Sequence, residues 1–281
     1  GECLKLISVV AGLKLEIVSC SREYALSKDN PPDFLTKLLL TGPRPLSQSE
    51  KRGPVGYRLT PKGAADLRFP SDGAQSARKQ PDGSWALSVD PRVQAAHEAI
   101  PYAGRDAAAL EALKPSRYVE SANPKIVAAA RQALGDTTDA LPAARKLEAF
   151  VRTHIEKKDL SVGYASAAEV LETRQGDCTE HAVLLAALCR ASGIPAQVVS
   201  GLAHVGEWAG RKDVFAPHAW VRAFIAGRWV HLDAALGYDA GHIMLGAGNG
   251  DPEGFFAILG TLGNFTLADV QPTPAPTTRE H

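Results

Sequence analysis

Three observations predict an α+β fold. Apolar residues recur at helical spacing between residues 123 and 192, strand-like alternation takes over after Gly193 and Pro195, and residues 1–100 carry short strand-like runs between turn-rich segments. The chain has 281 residues, 45% of them hydrophobic, enough to bury sizeable cores in one large domain or two ordinary ones. The expected organisation is a β-rich N-terminal region over 1–110, a core over 111–270 and a Pro/Thr-rich, disordered tail over 271–281.

The elements follow in chain order. "GECLKLISVVAGLKLEIVSC" is interrupted by Glu2, Lys5, Lys14 and Glu16, so it reads as one or two strands rather than a signal peptide. A start at Gly1 without Met leaves a removed signal peptide open. "YRLT" and "SWALSVD" alternate as strands do, and "QPDGSW" is a hairpin turn between "SARK" and "WALSV". A short helical piece near "GRDAAALEALKP" leads into the helix-rich stretch. "ANPKIVAAARQALG" opens on Asn-Pro and closes on Gly, a normal helix start and stop. "LPAARKLEAFVRTHIEKK" is a second helix, with Ala144, Leu147, Phe150, Val151 and Ile155 on one face. "SAAEVLETRQG" is a short third, expected to end at Gly176. Residues 178–192 form a fourth, apolar nearly all round and therefore buried. "AQVVSGLA", "HAWVRAFI" and "RWVHLD" then read as strands.

Composition excludes several function classes. Lys plus Arg is 31 and Asp plus Glu is 31, so no basic surface for nucleic acid is expected. No apolar run approaches the ~20 residues that span a membrane. Four cysteines (Cys3, Cys20, Cys178 and Cys189) do not make a disulfide scaffold. Cys3 and Cys20 pair only if the compartment is oxidising, and two separate thiols is the plainer reading.

The chemistry concentrates on Cys178, His218 and Asp233. Cys178 opens the fourth helix, where unpaired N–H groups favour a thiolate. A two-residue turn at Ala226-Gly227 would set Ile225 opposite Arg228 and Trp220 opposite Asp233. His218, Trp220, Arg222 and Phe224 would then share a face with Trp229, His231 and Asp233, and His218 and Asp233 would be diagonal neighbours within side-chain reach. A carboxylate holding an imidazole in one tautomer beside a thiol is a nucleophile–base–orienter set. A protonated His218 and the helix start are both expected to lower the Cys178 pKa, and its backbone N–H is placed to donate to an oxyanion.

"GDCTEHAVLLAALCRASGIPAQVVSGL", followed by "HAWVRAFIAGRWVHLDAAL", resembles the transglutaminase-like, papain-like cysteine enzymes over about residues 123–245. The family pattern is a Cys at a buried helix start, a "GIPA-x-VV-x-G" strand entry, "HAW", and a strand ending in Asp. Cys178, His218 and Asp233 match its triad positions. The resemblance is closest to a bacterial "GDCTEH" branch, and it implies that the Cys-bearing helix packs on an antiparallel sheet or small barrel. It also implies an exported, periplasmic or secreted protein with a β-rich region ahead of the core.

Around the triad, Tyr164 and Gln175 are candidate oxyanion donors. His181, one turn past Cys178, either tunes the thiol, contacts substrate, or serves capping and packing. Trp220 is core or pocket wall. The stretch that places Asp239 and His242 three apart is read as a structural edge of the pocket, with His242 a candidate to line it and contact substrate. A zinc site there would need two more ligands, and none has convincing spacing. No cofactor is expected, and no EF-hand-like loop accompanies the core. The expected reaction is acyl transfer through a thioester on a peptide or protein substrate, with hydrolysis favoured. Transamidation and a catalytically silent binding module are the alternatives.

Overall fold

The computed structural model describes residues 5–10, 13–25, 38–63, 67–92, 97–158, 164–208 and 210–272, with backbone alone for 5–18, 24–25 and 256–259. Cys3 and most of the predicted tail lie outside the described residues. The first part of the chain forms strands β1 (Lys5–Val10) and β2 (Leu13–Val18), helix α1 (Arg22–Ala25), strand β3 (Leu40–Thr41), helix α2 (Gln48–Lys51), and strands β4 (Val55–Pro61), β5 (Gln75–Lys79) and β6 (Trp85–Val89). Helices α3 (Ala107–Glu111), α4 (Pro124–Leu134), α5 (Ala140–His154), α6 (Ala167–Thr173) and α7 (Cys178–Ala191) follow. Strands β7 (Ala196–Trp208), β8 (Arg211–Ile225), β9 (Arg228–Leu232) and β10 (His242–Gly248), helix α8 (Pro252–Leu259) and strand β11 (Phe265–Pro272) complete it.

Local chemistry sets the helix boundaries. Asn123 caps α4 with Pro124 at the first turn, and Gly135 ends it at φ 56°. Asp139 caps α5. Ser166 and Glu169 make a reciprocal capping box on α6. That helix stops at Thr173, short of the expected Gly176, because Arg174 turns left-handed at φ 58°. Gln175 then bridges to Lys157.

Antiparallel strands run in the order β10-β7-β8-β3, with β9 also paired to β8, and make the central sheet. The expected hairpin register holds: Ile225 faces Arg228 and Val221 faces Leu232, around a turn with both Ala226 (φ 51°) and Gly227 (φ 78°) at positive φ. Strand β10 was not anticipated, because "HIMLGAG" shows no alternation and ends in small residues. A second sheet, β11-β4-β6-β5, joins the last described strand to the N-terminal region.

The central sheet lies between two cores. On one face α4–α7 bury Ile126, Leu147, Val170, Leu184 and Leu188 against Ala219, Val221, Ala223 and Leu232. On the other, Leu202, Phe215 and Ile243 pack with Val55, Leu59, Val89, Phe265 and Val270 of the second sheet. Helix α7 is sealed on every side, with Thr179 through Arg190 all buried, as expected of an apolar helix against both helices and sheet.

Candidate active site

Cys178 is placed by its cap. Asp177 accepts from the Thr179 backbone N–H at 2.9 Å, and the Asp177 N–H donates in turn to Glu180 Oε2 at 3.0 Å. Gly176, at φ 146°, gives this box room: a Cβ there would lie 2.2 Å from the Cβ of Glu180. Burial, with the Asp177 charge, pushes the Glu180 carboxyl up to about 7 against the hydrogen bond from the Ala165 backbone. Cys178 is half-buried, and its thiol is engaged by the backbone of Ala219, the residue after His218.

One sequence expectation is reversed here. The thiol pKa is raised well above its ordinary value, first by burial and then by the Asp177 charge; Asp233 and Glu180 add to the rise, and the Ala219 backbone bond opposes it. Burial of the sulfur and the carboxylates around it outweigh the favourable helix start.

His218 and Asp233 meet as the register predicts. The His218 Nε2 and Asp233 Oδ2 atoms are 2.9 Å apart, with both side chains buried. Burial acts to raise the Asp233 pKa, but the charge and hydrogen bond of His218, with those of His242, hold it far below the usual carboxylate range. The Asp233 backbone is clamped by α5: its N–H donates to Glu148 Oε1 at 2.8 Å, and its carbonyl accepts from Arg152 Nη2 at 2.9 Å. Asp233 Oδ1 accepts from the backbone N–H groups of Ala235 (2.8 Å) and Leu236 (3.2 Å).

The remaining candidates separate. The Tyr164 hydroxyl donates to Gly250 O at 2.9 Å, and Tyr164 lines a cleft of about 260 Å³ with Ser200, Gly248, Asp251 and Phe255. Ser200 pairs with Ala219 across β7 and β8, which sets the cleft one strand over from the residue that engages the thiol; Ala219 and Cys178 are not in its lining. Gln175 is not in that lining; its side-chain carbonyl accepts from Lys157 Nζ at 3.3 Å. His181 Nδ1 lies at the Asp177 carbonyl, while its buried Nε2 has no hydrogen-bond partner among the described residues. Burial lowers the His181 pKa. Trp220 is a buried wall whose indole N–H donates to His231 Nδ1 at 2.7 Å. His242 is buried rather than at a pocket edge, with Nε2 3.0 Å from Asp233 Oδ2. His218, Asp233 and His242 bring three potential metal-donor atoms within 4.8 Å of one another, and the direct hydrogen bonds among them account for that grouping.

Several contributors escaped the sequence reading. Asp72, in the turn before β5, is bonded to His231 Nε2 at 2.8 Å and accepts from Arg222 Nη1 at 3.0 Å. Through His231 and Trp220 it links the second sheet's region to the wall beside His218, whose ring stacks on Trp220 at 6.0 Å. Only the His231 face assignment hinted at this, since Asp72 sits in an ordinary "PSDG" turn. Glu148 carried no signal beyond its place in a helix.

Residues 127–234 match the family model of the transglutaminase-like superfamily. Among solved structures, a candidate cysteine protease from Cytophaga hutchinsonii is 18% identical, with 83% of this chain and 85% of that one covered at a TM-score of 0.52, which shows a shared fold. The periplasmic domain of TgpA from Pseudomonas aeruginosa is 16% identical over 73% of this chain and 91% of its own, at a TM-score of 0.45. Red sea bream transglutaminase is 10% identical over 64% and 45%, at a TM-score of 0.36. No curated protein matches the chain significantly. No helix among the described residues is long and apolar enough to cross a membrane.

Proposed function

We propose that this chain is a transglutaminase-like, cysteine-dependent acyl-transfer enzyme that hydrolyses peptide or amide bonds. The observation that carries the reading is the buried His218–Asp233 bond of 2.9 Å, on the strand whose next residue, Ala219, engages the Cys178 thiol. Asp233 occupies Nε2, so Nδ1 is the ring atom left to take the thiol proton. With the resting thiol protonated, that transfer accompanies attack; catalytic hydrogen bonds commonly tighten when substrate fills a cleft.

The steps are then fixed by proton balance. The Cys178 sulfur bonds to the substrate carbonyl carbon as His218 takes the thiol proton. The carbon–nitrogen bond breaks as His218 returns that proton to the leaving amine, giving a thioester. A water attacks the thioester as His218 takes its proton, and the carbon–sulfur bond breaks as His218 returns that proton to the departing sulfur, which releases the acid and restores the thiol. The negative oxygen formed in each addition is served by the Cys178 backbone N–H. The cleft beside Tyr164 and Ser200 is the seat for the acyl part of the substrate.

Rapid alkylation by iodoacetamide, mapped by mass spectrometry across pH 5–9, tests the reading without a known substrate. The expected result is Cys178 labelling that slows at least tenfold in His218→Ala. Equal labelling of the two proteins would overturn it. With a peptide library, product acids without incorporated amine support hydrolysis; incorporation of a fluorescent primary amine would favour transamidation.

A further inference from the structure

We propose that His242 is a positioning residue for Asp233, held between Asp233 and Asp239 as an imidazolium that shares the carboxylate with His218; this rests on the triad reading above. Asp233 Oδ2 is approached by two imidazole nitrogens, His218 Nε2 at 2.9 Å and His242 Nε2 at 3.0 Å. On its other side, His242 Nδ1 lies 3.1 Å from the Asp239 carbonyl and 3.2 Å from Asp239 Oδ1. A neutral imidazole has one N–H, so only the imidazolium donates at both ends. The neutral ring has a different pattern, in which Nδ1 accepts the Asp239 backbone N–H, 3.3 Å away.

The surroundings favour the charged form. Asp239 is itself fixed by Lys51, with Nζ 3.0 Å from Oδ2. Around His242 stand His218 from β8, His231 and Asp233 from β9 and its end, Tyr238 and Asp239 from the following loop, and, beyond Asp239, Lys51 of α2 and His204 of β7. Burial works against the charge on His242, but the hydrogen bonds and charges of Asp233 and Asp239 outweigh it and push its pKa up to about 9.

The consequence is for His218. A carboxylate that served His218 alone would stabilise its imidazolium more strongly through Nε2, yet the reaction needs that imidazolium to give up its Nδ1 proton to the leaving amine. A second cation on the same oxygen tempers the pull. Removing that positive charge makes every nearby proton harder to lose.

Two measurements decide the matter. Selective histidine labelling followed by NMR should show His242 titrating near 9, moving down by at least one pH unit in Asp239→Asn; titration near the ordinary 6.5 overturns the inference. The pH profile of Cys178 alkylation should move upward by about one pH unit in His242→Gln, which keeps a neutral donor but no charge. An unmoved profile, with His218→Ala still slowing the reaction, leaves the triad standing and overturns the role of His242. If His218→Ala labels like the parent protein, the triad reading itself fails and takes the positioning role with it.

Discussion

At the scale of single residues, the Cys178 thiol is governed by the charges around it. Asp177 is the largest unfavourable charge beside it, yet its side chain also caps α7. Asp177→Asn keeps a capping oxygen and removes the charge, so the pH at which iodoacetamide labels Cys178 should fall. Asp177→Ala should show the same fall and also lose about 1 kcal/mol of stability in urea denaturation. Cys178→Ala should abolish turnover with little change in melting temperature, and a still-active protein would remove the proposed mechanism. Cys178, His218 and Asp233 were legible in the sequence because each sits inside a local pattern: a helix cap, a strand start, a strand end. The thiol's raised pKa was not, since it comes from burial and carboxylates that only the folded chain assembles.

Elements decide how firmly those residues are held. Helix α5 grips the end of β9 through Glu148, whose carboxylate also pairs with Arg145 at 2.8 Å. Glu148→Ala leaves the buried Asp233 N–H without an acceptor, at about 1–3 kcal/mol, readable by urea denaturation alongside a loss of turnover. The β8–β9 turn behaves oppositely. Ala226 holds φ 51°, a conformation that costs an alanine about 1 kcal/mol; Ala226→Asn makes the Asn-Gly pair such turns prefer and should raise the melting temperature without altering the site. The register of this hairpin and helices α4, α5 and α7 could be read from spacing and caps. Strands β3, β10 and β11 could not, because two-residue β3 is too short to show a period and the other two owe their pairing to partners far away in the chain.

Over the whole molecule, Asp72 ties the region of the second sheet to the central one. Burial works to raise its pKa, but His231 and Arg222 hold it down to about 2. A carboxyl depressed in the folded state contributes stability that is full above its unfolded value near 3.9 and is lost as pH falls toward 2. The depression is worth about 2–3 kcal/mol. Asp72→Asn should therefore be less stable at pH 7, and its stability should fall less steeply between pH 4 and pH 2, as followed by urea denaturation at each pH.

The pairing of β11 with β4 joins residues as distant in the chain as Val55 and Pro272. During synthesis, then, β4 leaves the ribosome long before its neighbour exists. Until β11 arrives, the nascent sheet presents a raw strand edge, of the kind that recruits other chains. The helical half can form in the interval from contacts close in sequence, so the region encoded first is completed last. The newborn chain is accordingly most in need of chaperone cover at its beginning, and a ribosome that stalls before residue 265 would release a formed helical half attached to an unfinished, adhesive sheet.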